Sequence, residues 1–160
     1  RNQFEGPVPP AVIATAPGQA PVPGADVLAR TMWGEARGEG PEGMRAVAHV
    51  VINRAARRTY WGITVEEVCR KPWQFSCWNL NDPNLTKLLA VGTTDPLFRS
   101  AMEAATGLLS DARGLVRRDD DPTDGATHYH TRSLLPLPRW AVGHVPCARI
   151  GSHVFYNDIS

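Results

Sequence analysis

The sequence predicts a single, mainly helical α+β domain, and three observations lead to this fold class. Helix-forming patterns run from about residue 25 to about residue 110, whereas both β-prone segments lie after Asp111. The chain has 160 residues, a length at which one core buries roughly two thirds of the surface of the unfolded chain. Because a second core would leave both halves marginal, we expect one domain in which a small antiparallel sheet or hairpin packs beside the helices.

The first 24 residues differ in composition from the rest of the chain. Six of the 14 prolines lie there, together with three glycines. Proline interrupts helices and central strands, so we expect residues 1–24 to form an extended arm or linker and residues 25–160 to form the folded domain. Since the chain begins with Arg1, we expect an additional upstream segment, to which the arm would tether the domain.

Apolar periodicity and capping signals predict five helices between the arm and Asp111. The expected starts are Asp26, Pro41, Thr64, Asp82 and Asp95. Thr64 followed by Glu67 has the pattern of a capping box. The second helix carries apolar residues around most of its circumference, so we expect it at the centre of the core.

Two β-prone segments follow, at 126–131 and 150–156. Turn-forming residues at 122–125 precede the first, and a proline-rich connection separates the two. We expect these segments to pair as the small antiparallel sheet or hairpin.

Charge and hydropathy together exclude two classes of partner. The 17 basic and 16 acidic residues leave a net charge of +1 without a basic stripe, so we expect no nucleic-acid partner. No run of about 18 apolar residues occurs, so we expect no membrane insertion in this chain.

The three cysteines, Cys69, Cys77 and Cys147, are too few for a disulfide framework, although a bridge between Cys69 and Cys77 remains open.

Glu35 is the most informative candidate for chemistry. It follows Leu28 and Met32 at helical spacing, at the C-terminal end of the first predicted helix. Burial and the negative end of the helix dipole both favour the protonated carboxyl, which is the state that a general acid needs near neutral pH. The alternative is a structural carboxylate that pairs with Arg37 or Arg45.

Other residue types leave two further possibilities open. Five tryptophans, with amides such as Gln74, suit either a carbohydrate cleft or an ordinary core. His128 and His130 alternate on a predicted strand, and His153 lies on the strand that would pair with it, so a three-histidine zinc site is geometrically conceivable. No motif for a serine or cysteine nucleophile is present.

Several blocks, taken together and in order, resemble the SleB/CwlJ-type cell wall hydrolases, a family known from spore cortex lysis and from phage and bacterial lysins. The blocks are G-E-A-R-G-E at 34–39, P-E-G-M-R-A-V-A-H-V-V-I-N-R at 41–54, P-W-Q-F-S at 72–76, D-P-T-D-G-A-T-H-Y at 121–129, Trp140, and I-G-S-H-V-F-Y at 150–156. Two features differ from the family pattern: His128 and His130 occupy positions that are commonly non-ligating, and the continuation through Cys77 and Trp78 differs from that of the spore enzymes.

The resemblance implies a lysozyme-like α+β domain that cuts the glycan strand of peptidoglycan between N-acetylmuramic acid and N-acetylglucosamine. Glu35 matches the catalytic acid. The residues expected to bind substrate or support the cleft are Glu39, Gln74, Phe75, Ser76, Trp78, Tyr129, Trp140 and His153. No metal and no cofactor are expected, and the location would be the cell envelope, periplasmic or extracellular, or a phage particle. The N-terminal arm would tether the domain to a larger phage or envelope protein.

The expected reaction is that of a lytic transglycosylase with one catalytic carboxyl. Three alternatives remain. The first is a hydrolysing muramidase in which Glu39, Glu42 or an acidic residue of 119–121 activates water. The others are a zinc-dependent peptidoglycan amidase that uses the three histidines and a non-catalytic wall-binding module.

Overall fold

The computed structural model of the protein describes residues 20–110 and 119–160. Residues 1–19 of the expected arm therefore lie outside the described residues. The helices are α1 (Ala25–Ala36), α2 (Gly40–Arg57), α3 (Val65–Arg70), α4 (Leu85–Ala90) and α5 (Pro96–Ser110), and the strands are β1 (His128–Thr131), β2 (Ala148–Ile150) and β3 (His153–Tyr156). Short 3₁₀ turns occupy 37–39, 76–78 and 139–141. The mainly helical α+β class is confirmed.

Side-chain caps explain two of the five described helix starts, those of α3 and α5. The expected start of α4 at Asp82 is wrong, since this helix begins at Leu85. Thr64 Oγ1 accepts a hydrogen bond from the N–H of Glu67 at 3.1 Å, while Glu67 Oε2 accepts one from Ile63 N at 2.9 Å. Asp95 likewise caps α5 through Phe98 N at 2.9 Å. The expectation that Asp26 caps α1 is wrong, because the helix already begins at Ala25 after the left-handed Gly24.

The core forms where α1, α2 and α5 pack together. Twelve of the 18 residues of α2 are buried, which confirms its central place. A buried arginine ties α4 to this core: Arg30 Nη1 donates to the carbonyl oxygens of Leu88 at 2.7 Å and Val91 at 2.9 Å. Its guanidinium lies over the Phe98 ring at 5.0 Å. These contacts hold the C-terminal end of α4 against α1, the helix that carries Glu35.

The sheet has three antiparallel strands in the order β1-β3-β2. The second predicted segment contains both β3 and the end of β2, because the chain reverses at Gly151, which has a φ of +58°. Tyr129, Thr131, His153 and Phe155 share one face of the sheet, since Tyr129 pairs with Phe155 and Thr131 with His153. Phe155 packs there against Ala46 and Val50 of α2.

A buried carboxylate fixes the segment that leads into β1. The side chain of Asp121 is 1% exposed and accepts hydrogen bonds from Asn53 Nδ2 at 2.9 Å, Thr123 N at 2.8 Å and Gly125 N at 2.9 Å. Arg54 Nε donates to Thr127 O at 2.7 Å. Because Asn53 and Arg54 belong to α2, this helix sets the position of β1 and therefore of Tyr129. None of the helices in the described ranges is long and apolar enough to cross a membrane.

Candidate active site

Glu35 lies in the last turn of α1, half-buried, at the edge of the core. The hydroxyl of Tyr129, which β1 supplies, donates a hydrogen bond to Glu35 Oε1 at 3.0 Å. The two residues are 94 positions apart in the chain, so the contact depends on the docking of the sheet against α1 and α2.

The electrostatics of Glu35 favour its protonated form. Burial raises the pKa of Glu35 above its ordinary value, and hydrogen bonds from Tyr129 and Cys77 oppose part of that rise. The carboxylate of Asp82 raises the pKa further. A carboxyl of this kind can hold a proton at a pH where an exposed glutamate is ionised, which is the requirement for a general acid.

Arg37 and Arg45, the alternative partners of Glu35, make other contacts. Arg37 stacks on the Trp33 ring at 4.1 Å and donates to Trp33 O at 3.2 Å. Arg45 Nη2 lies 3.7 Å from Asp120 Oδ2. The structural alternative, an ordinary Glu–Arg pair with either residue, is therefore wrong.

A small pocket of roughly 70 Å³ opens beside the Glu35 side chain. Its lining consists of Trp33, Gly34, Glu35, Arg37, Ser76, Cys77, Asp82, Asn84 and Leu88. Ser76 was expected in the cleft, whereas Asp82 and Asn84 were not, because the sequence D-P-N reads first as a helix start. The polar residues of segment 79–84 could have indicated a binding site, but only the packing of α4 against α1 brings Asp82 and Asn84 to Glu35.

Gly34 allows the close approach of α1 to the 3₁₀ turn at 76–78. A Cβ built on Gly34 would lie 2.8 Å from Cys77 Cβ and 3.0 Å from Cys77 Sγ. Only glycine fits at this position without movement of the turn. The pocket wall that carries Ser76 and Cys77 therefore depends on the residue that precedes Glu35.

Tyr129 is held in a buried aromatic cluster. Its ring lies 5.0 Å from the His153 ring and 5.6 Å from the Phe155 ring. Burial raises the pKa of the phenol well above its ordinary value, and the neighbouring Glu35 raises it further. The phenol consequently stays protonated and acts as a hydrogen-bond donor to Glu35.

Glu39 does not line the pocket; it clamps the sheet onto the start of α2. Glu39 Oε1 accepts a hydrogen bond from Ser152 N at 2.7 Å and a second from the Ser152 hydroxyl. These two bonds lower the pKa of Glu39. His153 Nδ1 lies 4.0 Å from the same oxygen. Glu39 therefore contacts the strand that carries His153, and the His153 ring in turn packs against Tyr129.

Gln74 and Phe75 support the site through a buried arginine. Arg54 lies over the Phe75 ring at 5.2 Å and donates from Nη1 to Gln74 Oε1 at 3.4 Å. Burial lowers the pKa of Arg54. These residues join α2 to the segment before Ser76, and Phe75 is itself buried.

Two tryptophans lie apart from the pocket. Trp78 is 6% exposed and donates from Nε1 to Thr31 Oγ1 at 2.9 Å, so it is a core residue and the expectation of direct substrate contact needs correction. Trp140 packs against His128 and Tyr156, on the face of the sheet opposite to Tyr129. It therefore does not line the pocket around Glu35.

The three histidines of the zinc hypothesis do not converge. His128 and His130 share a face with Tyr156, whereas His153 points with Tyr129 to the other face. Both ring nitrogens of His130 are hydrogen-bonded, to Thr131 O at 2.7 Å and to Tyr156 Oη at 2.9 Å. The ligand set that a zinc amidase would need is not formed by these residues. No other group of three such ligands occurs within residues 20–110 and 119–160.

The three cysteines are free thiols, so the bridge between Cys69 and Cys77 is not formed. Burial raises the pKa of Cys69 to about 12. Burial and the neighbouring Glu35 raise the pKa of Cys77 as well. Both side chains therefore remain protonated and pack as small apolar groups, and Cys77 also contributes a hydrogen bond to Glu35.

A half-buried, protonatable carboxyl beside a pocket, in a mainly helical α+β domain, is an arrangement suited to an acid-catalysed hydrolase. The family model of the cell wall hydrolases matches residues 38–156, and the chain belongs to this family. The matched range begins three residues after Glu35.

Two solved structures share the fold. The catalytic domain of the Bacillus cereus SleB protein is 22% identical with a TM-score of 0.55, and the match covers 88% of this chain and 98% of that domain. The catalytic domain of the germination-specific lytic transglycosylase SleB from Bacillus anthracis has the same identity and coverage, with a TM-score of 0.57. A search of curated proteins found no match.

Proposed function

We propose that this cell wall hydrolase degrades peptidoglycan by cleaving the bond between N-acetylmuramic acid and N-acetylglucosamine, as a lytic transglycosylase with Glu35 as its catalytic acid. The observation that carries the proposal is the Glu35 carboxyl itself. It borders a pocket, its pKa is raised by burial, and a neutral phenol holds one of its oxygens. The SleB-like fold and the family support the choice of peptidoglycan.

The first chemical step is protonation of the leaving group. Protonated Glu35 gives its proton to the glycosidic oxygen while the bond from that oxygen to C1 of the muramic residue breaks and positive charge develops at C1. The N-acetyl group of the same sugar supports C1. Tyr129 then stabilises the carboxylate that has formed on Glu35, because its hydroxyl already donates to Oε1.

The second step closes the product. Glu35, now ionised, takes the proton of the muramic C6 hydroxyl as that oxygen bonds to C1, which yields a 1,6-anhydromuramyl end and restores the protonated acid. No second carboxylate is required, and no water is consumed.

A hydrolysing muramidase is the second candidate, and Asp82 is the observation that favours it. Asp82 lines the same pocket as Glu35, and its carboxylate raises the pKa of Glu35. The expected water-activating residues are less well placed: Glu39 is bound to Ser152, and Asp121 is buried within its own loop. Asp82 is therefore the carboxylate to test as a base.

Mass spectrometry of digested peptidoglycan separates these reactions. We expect anhydromuramyl ends from the wild type, a loss of about 10²- to 10⁴-fold in rate for Glu35→Gln, and substantial activity for Asp82→Asn. Reducing muramic ends that disappear in Asp82→Asn would establish the muramidase instead. Circular dichroism of both variants checks that the fold is retained. Glu66→Gln, an exposed change on α3, serves as the matched control.

Retained peptidoglycan binding without release of any fragment, from several wall types, would mean that the domain is a non-catalytic wall-binding module. We also propose a location at the cell envelope or outside the cell, where this substrate is found, with the N-terminal arm as the tether. Mass spectrometry of the intact protein from its native source would test whether a larger chain carries the arm.

A further inference from the structure

Segment 132–147 forms a layer over the outer face of the sheet. It joins β1 to β2, and since β3 lies between them and is antiparallel to both, the connection has to cross back over one face. At its centre, Trp140 packs on His130 at 5.8 Å and on Tyr156 at 5.2 Å between ring centroids, and Ala141 is buried. The layer therefore has an inner side on the sheet and an outer side toward solvent.

The outer side of this layer is unusually apolar. Five large apolar side chains of the segment are exposed: Leu134, Leu135, Leu137, Val142 and Val145. Leu135 is 83% exposed and Val145 is 81% exposed. The rest of the described chain contributes only four such residues. Single exposed apolar residues are ordinary, but a concentrated set marks an interaction surface.

The Lys, Arg, Asp and Glu positions within segment 132–147 and β2 are all arginine. Arg132, Arg139 and Arg149 are all exposed. No Asp or Glu occurs from residue 125 to residue 157. The next carboxylate along the chain, Asp158, is hydrogen-bonded to His144 of the layer at 3.0 Å. The outer side thus presents guanidinium groups among leucines and valines.

This combination is complementary to an anionic lipid surface. Leucine and valine side chains can enter the boundary between headgroups and acyl chains, while arginines bind the lipid phosphates from the same layer. An anionic wall polymer would use the arginines, but it offers no apolar phase for the exposed leucines.

We propose that segment 132–147 docks the domain on an anionic lipid membrane. Tyr129 lies on the opposite face of the sheet, where its hydroxyl contacts Glu35, so docking through segment 132–147 does not cover that contact. The proposal is independent of the reaction at Glu35, since it concerns the other side of the sheet.

Sedimentation with lipid vesicles tests the docking surface on the full chain. We expect binding to vesicles of equal parts phosphatidylglycerol and phosphatidylcholine, much weaker binding to phosphatidylcholine alone, and a decrease as salt is raised. Leu135→Ser combined with Val145→Ser should weaken binding at least about tenfold. The change of Arg132 and Arg139 to Gln should cost about fivefold per residue. Ile63→Ser, an exposed apolar change outside the layer, should leave binding unchanged.

Three results would overturn the proposal. The first is equal binding to both kinds of vesicle. The second is binding to anionic vesicles that weakens when Arg132 and Arg139 are replaced but does not change when Leu135 and Val145 are replaced. That result would assign the surface to an anionic polymer. The third is self-association in ultracentrifugation that Leu135→Ser abolishes, which would assign it to a second copy of the chain. Activity of every variant on purified peptidoglycan separates these outcomes from a failure of the proposed reaction.

Discussion

The protonation of Glu35 depends on two opposing contributions that act on a single carboxyl group. Burial, with the nearby Asp82 carboxylate, raises its pKa, whereas the hydrogen bonds from Tyr129 and Cys77 lower it. A general acid also has to accept a proton again after each cycle, so an excessive pKa would be as unfavourable as a low one. Tyr129 is the residue that moderates the effect of burial and fixes the orientation of Oε1.

Replacement of Tyr129 by Phe tests this residue-scale argument. Loss of a hydrogen bond to the ionised form raises the pKa of Glu35, so the alkaline limb of the pH profile of kcat should move to higher pH. The rate at the optimum should fall on the order of tenfold, because Oε1 loses its positioning contact. Tyr60→Phe is the control, since Tyr60 is 66% exposed. An unchanged alkaline limb in Tyr129→Phe would show that another group sets the titration.

At the scale of elements, the pocket depends on how closely α1 approaches the 3₁₀ turn at 76–78. Gly34 permits this approach at the position immediately before Glu35. The capping contacts of α3 and α5 join residues only three positions apart, so they were predictable from the sequence. The approach of α1 to the turn was not, because the two segments are more than 35 residues apart.

Replacement of Gly34 by Ala should displace the turn that carries Ser76 and Cys77. We expect a loss of about 1–3 kcal/mol in the free energy of unfolding and at least about a tenfold loss in kcat. Chemical denaturation and peptidoglycan turnover measure the two effects.

The control for this prediction is Gly38→Ala, because a Cβ on Gly38 meets no atom within 4 Å. Addition of Cys77→Gly to Gly34→Ala removes the clashing Cβ and Sγ of Cys77, leaves Leu88 Cδ1 at 3.0 Å, and should recover part of the activity. A Gly34→Ala enzyme with wild-type turnover would contradict the importance of the close approach.

For the whole molecule, hydrogen bonds near both ends of α2 help to join the helices to the sheet. Glu39, at the start of α2, holds the turn between β2 and β3 through Ser152. Near its C-terminal end, Asn53 holds the loop of Asp121. The position of β1, and with it the Tyr129–Glu35 contact, follows from both attachments.

Asp121→Asn should therefore destabilise the fold as a whole. Burial alone would raise the pKa of Asp121, but hydrogen bonds from Asn53 and Thr123 outweigh it and hold the pKa below its ordinary value. A depressed pKa in the folded state contributes stability above the unfolded value of about 3.9, and this contribution is lost as the pH falls through the folded value. We expect a loss of about 2–4 kcal/mol near neutral pH.

Denaturant titrations from pH 7 to pH 3 check this expectation. The difference between the wild type and Asp121→Asn should begin to shrink below about pH 4, where the Asp121 carboxyl of the unfolded chain becomes protonated while that of the folded protein is still ionised. Asp120→Asn, at an exposed neighbour that pairs with Arg45, should change stability by less than about 1 kcal/mol. A difference that is independent of pH would show that the charge of Asp121 does not stabilise the fold.

The sequence alone determined the features that depend on neighbouring residues. Helix periodicity, the caps at Thr64 and Asp95, the place of Glu35 near the end of α1 and the family motifs all involve spacings of a few residues, within which local geometry decides the outcome. The tertiary structure decided which distant groups meet Glu35 and which do not. The groups that meet Glu35 are Tyr129, Cys77 and Asp82. Glu39 instead binds the sheet at Ser152, and the three histidines lie on different faces of that sheet. The physical reason is that strand register and helix packing assign side chains to faces, and one residue of register reverses every assignment.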